Sequence, residues 1–310
     1  MPQYNTWGTP SSIVGVEQAI GRRRCARLVV LAFGMLGSAA SAQERLIQSH
    51  DAGEPEGRLL AFYSSAMVFS PLGAPTRASR WSVSMEATYL PRLSEAQRRP
   101  GIDKPESSNL SPVLPRPRVT LRTALGVLEA SWVPPVRVAD AEANLVGLAF
   151  TRSLGEWRGV SLAPRISLSA GKVRGAITCN RATTEKGGPD LAVYYAAVCH
   201  GNNSDDWFQP RLVAGELVAS RAIGTSGAYT YVAAGARVDR SRFDIGVQRR
   251  DGTRDTDHPI LRLRDTRPHL AAGVRWPLGA HLSTVMEWFH APGSITTLRA
   301  SVAVSGGPRP

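Results

Sequence analysis

Strict alternation of apolar and polar residues is the feature that most constrains how this chain can fold. Across residues 81–89 the apolar side chains occupy the odd positions, while Ser, Glu and Thr occupy the even positions. A two-residue period is that of a β-strand, whose successive side chains point to opposite faces. Residues 160–169 and 297–304 have the same period. The chain is therefore predicted to be all-β.

Ten segments with strand character follow one another along the chain. They are predicted at 80–90, 116–124, 126–133, 143–152, 157–178, 207–222, 228–248, 260–276, 280–290 and 294–304. Short turns at 125–126, 153–156, 223–227 and 277–279 alternate with mostly longer loops at 91–115, 134–142, 179–206 and 249–259; the last connection, 291–293, is a short exception. This arrangement is typical of an antiparallel up-and-down transmembrane β-barrel. We predict about ten strands, within a range of eight to twelve.

The first 42 residues have the three parts of a secretory signal peptide. Arg22–Arg24 and Arg27 form a basic region, and Leu28–Leu36 is apolar but too short to span a bilayer. Ala40–Ala42 has the small residues typical of a signal-peptidase site. We therefore predict export by the Sec route, with cleavage near Ala42.

The remaining chain divides into three parts by composition. Residues 43–79 are predicted as an N-terminal lead-in or plug segment, 80–304 as the barrel and 305–310 as a C-terminal tail. Within the first part, Leu59–Phe69 fits an amphipathic helix and an extra strand equally well. A plug inside the lumen and a lead-in packed on the barrel rim both remain open.

With these strands and loops in place, residues 80–304 resemble a bacterial outer-membrane β-barrel protein of the small, porin-like kind. The resemblance implies that the protein lies in the cell outer membrane, with both termini on the periplasmic side. It also implies three kinds of partner: outer-membrane lipid and lipopolysaccharide, the barrel assembly machinery, and a small-molecule solute. No specific family within this broad class is identified.

Aromatic residues provide a pattern that fits a membrane-spanning barrel. Two aromatic belts on the lipid-facing side are predicted, because amphipathic rings favour the two membrane interfaces. The periplasmic belt comprises Trp81, Phe150 and Trp276, and the outer belt comprises Tyr89, Trp132 and Trp288.

The same alternation places charged residues inside the barrel, because a charge facing lipid is costly. The predicted lumen charges are Glu86, Arg122, Glu129, Arg165, Glu216, Arg275, Glu287 and Arg299. One hypothesis is a network of salt bridges that fills a narrow barrel. The alternative is a charged constriction that selects a permeating solute.

Cysteine and histidine residues set what chemistry the exported chain can perform. Cys179 and Cys199 bracket the longest outer loop in an oxidising compartment, which predicts a disulfide. His200 adds too few ligands for a zinc site, so no metal and no cofactor are predicted. No catalytic motif is recognisable, and a non-enzymatic protein is predicted.

The predicted function is either a narrow channel for small solutes or a structural surface barrel. The alternatives are a soluble periplasmic β-rich binding protein and a barrel hydrolase with its site at the outer rim, where His258 is the first candidate. The formal net charge of +12 does not indicate nucleic-acid binding, because the arginines are dispersed and an exported chain would not meet nucleic acid.

Overall fold

The computed structural model describes residues 45–75, 79–94, 97, 112–138, 141–180, 193, 195–255 and 257–306. The predicted signal peptide and the tail beyond Gly306 therefore lie outside the described residues. No described helix is long and apolar enough to cross a bilayer.

Ten strands pair in a closed antiparallel ring, as the alternation predicted. The wall strands are β2 (Trp81–Tyr89), β3 (Val113–Arg122), β4 (Val127–Val138), β5 (Ala141–Thr151), β7 (Val160–Gly175), β9 (Arg211–Ile223), β10 (Ala228–Asp239), β13 (Asp265–Pro277), β14 (Leu282–Ala291) and β15 (Ile295–Gly306). Each strand pairs with the next one in this order, and β15 pairs with β2. The ring has no free wall edge, so every wall strand has two neighbours.

The two ends of the barrel differ in the length of their connections. The turn end carries the short connections after β3, β5, β9 and β13, and the loop end carries the disulfide-bonded loop. One predicted long loop is wrong: β4 extends to Val138 and pairs with β5 from Ala141 onward, and the register of this pair shifts between Val133 and Val136. Pro134 and Pro135 lie in this shift, since proline lacks an N–H to donate to the ladder.

Short additional strands extend the barrel, most of them as a small sheet at the loop end. The rim sheet consists of β8 (Asp206–Gln209), β11 (Arg242–Asp244), β12 (Ile260–Leu263) and β1 (Ile47–His50), and it continues from the wall strand β7. β1 pairs in parallel with β12, whereas β6 (Gly155–Trp157) pairs with β7 at the turn end.

Leu59–Phe69, which the sequence left open, lies largely in a helix. α1 (Pro55–Ala66) has Pro55 at its start, where a missing N–H costs nothing, and it ends at Met67. Leu60, Ala61 and Phe62 are among the buried residues of this helix, which extend around most of its circumference. A helix without a solvated face must lie inside the protein.

Candidate functional site

Residues 51–75, here called the plug, pass through the lumen from the loop end to the turn end. Near the loop end, the hydroxyl oxygen of Ser65 lies 2.5 Å from that of Ser294, in the hairpin between β14 and β15. Near the turn end, the hydroxyl of Tyr229 donates a hydrogen bond to the carbonyl of Gly73. Among the described residues, Ile47 lies at the loop end and Gly306 at the turn end, whereas the prediction put both termini at one end of the barrel.

Arginines of the wall bind the plug through its backbone. The carbonyl oxygens of Met67 to Ser70 follow directly after α1 and accept hydrogen bonds in the middle of the lumen. Their donors are Arg116, 3.1 Å from Met67 O; Arg299, 2.9 Å from Val68 O; Arg165, 2.8 Å from Phe69 O; and Arg118, 3.0 Å from Ser70 O. The C-terminal end of a helix carries a partial negative charge, so cations are favourable there.

Phe69 occupies the centre of this arginine cluster. The guanidinium carbon of Arg118 lies 4.1 Å from the centroid of its ring, and that of Arg165 lies 5.3 Å away. Cation–π attraction therefore adds to apolar burial, since only 1% of Phe69 is exposed. Gly147 leaves the room that the ring needs, because a Cβ there would lie 3.1 Å from the Phe69 side chain.

A chain of ion pairs runs around the lumen at the level of Phe69. Arg118 bridges Glu86 at 2.9 Å and Glu129 at 3.1 Å. Arg165 bridges Glu129 at 2.9 Å and also pairs with Glu216. His269 continues the chain, with its Nε2 atom 3.1 Å from Glu216. Arginines and carboxylates alternate from Glu86 to Glu216, which offsets the high cost of burying isolated charges.

The structure divides the predicted lumen charges between two levels. Six of them are buried in the interior: Glu86, Glu129, Arg165, Glu216, Glu287 and Arg299. Arg122 and Arg275 also point inward, but they are only partly buried because they lie at the turn end. Sequence reasoning missed Arg116 and Arg118, although both share the strand face of Arg122 and the period of two could have identified them.

A cavity of about 480 Å³ opens at the turn end, below the plug. Arg122, Arg275, Glu156 and Tyr229 are among the residues that line it, together with several serines. Arg275 donates hydrogen bonds of 3.0 Å to the hydroxyl groups of Ser283 and Tyr229. This volume is in the range of small-molecule sites, and the lining suits a polar solute.

The outer face of the barrel is apolar along the length of its strands. Val83, Met85, Leu148 and Leu217 are among its exposed residues, each about half accessible. The predicted belt residues also point outward: Trp81, Phe150 and Trp276 near the turn end, and Tyr89, Trp132 and Trp288 toward the loop end. This barrel has apolar residues outside and charged residues inside. A soluble β-sandwich has the opposite distribution, because the apolar faces of its two sheets pack together in the core.

At the loop end, a disulfide joins Cys179 and Cys199, with their Cα atoms 5.8 Å apart. The neck of this loop is also held by the buried carboxylate of Asp206, which accepts hydrogen bonds from the N–H of Ile177 at 3.0 Å and that of Gly246 at 2.8 Å. The residues described at this end contain no cluster of His, Cys, Asp and Glu that could hold a metal ion.

His200 and His258 both face Asp255 in the outer loops. The Nε2 atom of His200 lies 3.2 Å from the Asp255 carboxylate, and that of His258 lies 3.8 Å away. The backbone N–H of Asp257, with His200 and Arg249, lowers the pKa of Asp255 to about 2. Asp255 is therefore ionised at neutral pH and holds the two loops together as an acceptor.

Cys179→Ser is expected to loosen the third outer loop and leave the barrel intact. Closing a loop of this size is worth about 3 kcal/mol in chain-entropy models, and that stabilisation is local. On intact cells, external protease should cut residues 179–206 faster in the variant, while the heat-dependent gel shift of the barrel stays unchanged. Failure of the variant to assemble would contradict a purely local role for the disulfide.

The comparisons with known proteins give loose structural similarity. No protein-family model and no curated protein sequence matches the chain. A KdgM porin aligns with 73% of this chain and 99% of its own, at 9% identity and a TM-score of 0.27. A CymD monoaromatic hydrocarbon channel aligns with 80% of this chain and 72% of its own, at 8% identity and a TM-score of 0.31.

A third similar structure is the toluene transporter TodX of Pseudomonas putida, which aligns with 84% of this chain and 72% of its own at 8% identity and a TM-score of 0.30. At such TM-scores the fold assignment rests on the ring of strand pairings in the chain itself. A closed ten-stranded antiparallel barrel with an apolar outside and a charged inside is the architecture of bacterial outer-membrane β-barrel proteins, and this chain has that architecture.

Proposed function

We propose that the protein is a non-enzymatic barrel of the outer membrane that forms a narrow channel for small solutes, closed at rest by its own plug. The apolar outer face supports placement in a bilayer, because a closed barrel satisfies its backbone groups internally and can face lipid. The signal peptide predicted from the sequence supports export to that membrane.

The observation that carries the channel proposal is that a segment distinct from the wall fills the lumen. The plug joins the wall covalently only through the residues that lead from Gly73 into β2. Elsewhere it is held by non-covalent contacts, chiefly arginine donors to the carbonyls of Met67 to Ser70. In barrels of about eight strands, the side chains of the wall fill the lumen by themselves. A barrel can therefore be closed without a separate segment such as the plug.

A polar solute reaching the turn end would meet the cavity beside Arg275 and Tyr229 before it meets the plug. The Tyr229 hydroxyl binds the plug at Gly73 and also accepts a hydrogen bond from Arg275. The cavity and the lower end of the plug therefore share one hydrogen-bonding group. Solutes that compete for this group would favour movement of the plug.

Two observations support a non-enzymatic protein over the outer-rim hydrolase. Among the described residues, neither His200 nor His258 has a Ser or Thr hydroxyl as a hydrogen-bond partner. Asp255 also pairs with Arg249 at 3.2 Å, so its charge is shared between this arginine and His200. Among the rim residues that the structure describes, no nucleophile, base and orienting acid lie in series, as hydrolysis by a serine requires.

Locking the plug to the wall is expected to abolish conductance. The double variant Ser65→Cys/Ser294→Cys places two thiols where the hydroxyl oxygens lie 2.5 Å apart, which is close enough for a disulfide. In planar bilayers, we expect brief openings from the parent protein, none from the oxidised double variant, and recovery after reduction. Each single cysteine variant serves as a matched control.

The parent protein treated with the same reductant controls for loss of the Cys179–Cys199 disulfide. Equal conductance of the locked and parent proteins would overturn closure by the plug. Silence of the parent protein across salts and voltages, with no opening on reduction of the locked variant, would instead identify a closed surface barrel.

A further inference from the structure

We propose that the barrel carries its N-terminal segment, from Arg45 to His50, across the outer membrane and holds it at the cell surface. The path of the chain is the first observation. From β1 at the loop end, the chain enters the lumen as α1, passes Phe69 at mid-depth and leaves at the turn end to begin β2. The segment before β2 therefore crosses the full height of the barrel.

Contacts at the loop end fix the start of this path. The guanidinium of Arg45 donates hydrogen bonds of 2.9 Å to the carbonyls of Ile245 and His258, and it forms an ion pair with Asp244. β1 then adds to the rim sheet by pairing Ile47 to His50 with β12. The chain at Arg45 is thus bound among the outer loops and not at the mouth of the lumen.

The lengths of the connections identify the loop end as the external one. Outer-membrane barrels have short periplasmic turns and longer extracellular loops. An exported chain reaches the membrane from the periplasm, so α1 and β1 must have passed through the barrel, or been enclosed as the barrel closed around them.

The consequence is a second role for the barrel that does not depend on conduction. Arg45 and β1, the first described part of the chain, are displayed outside the cell at the edge of the rim sheet. The outer edge of β1 has no partner strand among the described residues, and Ile47, Gln48 and Ser49 are exposed.

Cysteine labelling on intact cells tests this placement. Leu46→Cys and Leu278→Cys form a matched pair, because both leucines are exposed, at 64% and 58%, and lie at opposite ends of the barrel. A membrane-impermeant maleimide polymer adds mass that is visible on a gel. We expect Leu46→Cys to be labelled in intact cells, and Leu278→Cys to be labelled only after the outer membrane is permeabilised.

Gln48→Cys in β1 should behave as Leu46→Cys does, and the heat-dependent gel shift confirms that each variant has folded. Labelling of Leu46→Cys only after permeabilisation would overturn the proposal. Labelling of Leu278→Cys alone in intact cells would also overturn it, because the barrel would then be inserted the other way round. Neither result bears on conductance, so failure here is distinguishable from failure of the channel proposal.

Discussion

Arg165→Met should lower the free energy of unfolding of the barrel by about 3–5 kcal/mol, the usual cost of removing one partner from a buried ion pair. Arg165 is 2% exposed, and it bridges Glu129 and Glu216. Without it, two buried carboxylates lose a counter-charge, and the plug loses donors to Phe69 O and Ser70 O. Methionine keeps much of the volume, so the destabilisation is chiefly electrostatic.

The measurement is the denaturant midpoint of the detergent-solubilised barrel, followed by the gel shift between its folded and unfolded forms. Arg250→Met is the matched control, because Arg250 is exposed in an outer loop, and its midpoint should match that of the parent. Adding Glu216→Gln to Arg165→Met should recover part of the stability, because a neutral amide at 216 needs no counter-charge while Glu129 keeps its ion pair with Arg118. Equal midpoints for Arg165→Met and Arg250→Met would show that the ion-pair chain does not stabilise the barrel.

Phe69→Ala should open the channel. Removing a buried phenylalanine costs about 3–5 kcal/mol, and here the ring stabilises the closed state, in which it lies among Arg118, Arg165 and Gly147. A free-energy change of about 1.4 kcal/mol corresponds to a tenfold change in an equilibrium constant. Destabilising the closed state by about 3 kcal/mol therefore raises the ratio of open to closed channels about 100-fold. Single-channel recordings in planar bilayers measure this ratio.

Phe150→Ala is the matched control for this effect. It makes the same change on the outer face of β5, away from the plug, and it should leave the open fraction unchanged. Combining Phe69→Ala with the oxidised Ser65→Cys/Ser294→Cys lock should reduce the openings again, because the tether keeps the plug in the lumen. If Phe69→Ala and Phe150→Ala conduct alike, Phe69 does not hold the closed state.

The alternation of side chains was enough to predict the wall. In each strand the charged residues, such as Glu86 and Arg299, lie on the face opposite the apolar residues. A closed barrel of ten such strands places the charged faces inside and the apolar faces outside. Arg116 and Arg118 were missed although they obey the same period. The predicted long loop at 134–142 was wrong because Pro134 and Pro135 are accommodated by a shift in register and do not end the strands.

The plug shows where sequence reasoning stops. Leu59–Phe69 has no clear period, because a segment surrounded by wall on every side needs no polar face. The buried position of this segment depends on residues far away in the chain. Arg165 and Arg299 donate hydrogen bonds to its backbone carbonyls, which a residue of any type would provide. Because every peptide group carries a carbonyl oxygen, the local sequence does not show which of these oxygens will accept a hydrogen bond from an arginine.

The sequence alone determined the strands, the direction in which their side chains face and the disulfide pair. These depend on local periodicity and on the count of cysteines outside the predicted signal peptide. Only the tertiary structure decided what fills the lumen and at which end the N-terminal segment lies. Both depend on contacts across the barrel, such as those of Ser65 with Ser294 and of Arg45 with Asp244, which join residues about 200 positions apart. Closure of the ring brings these residues together, and the sequence around each of them does not predict the contact.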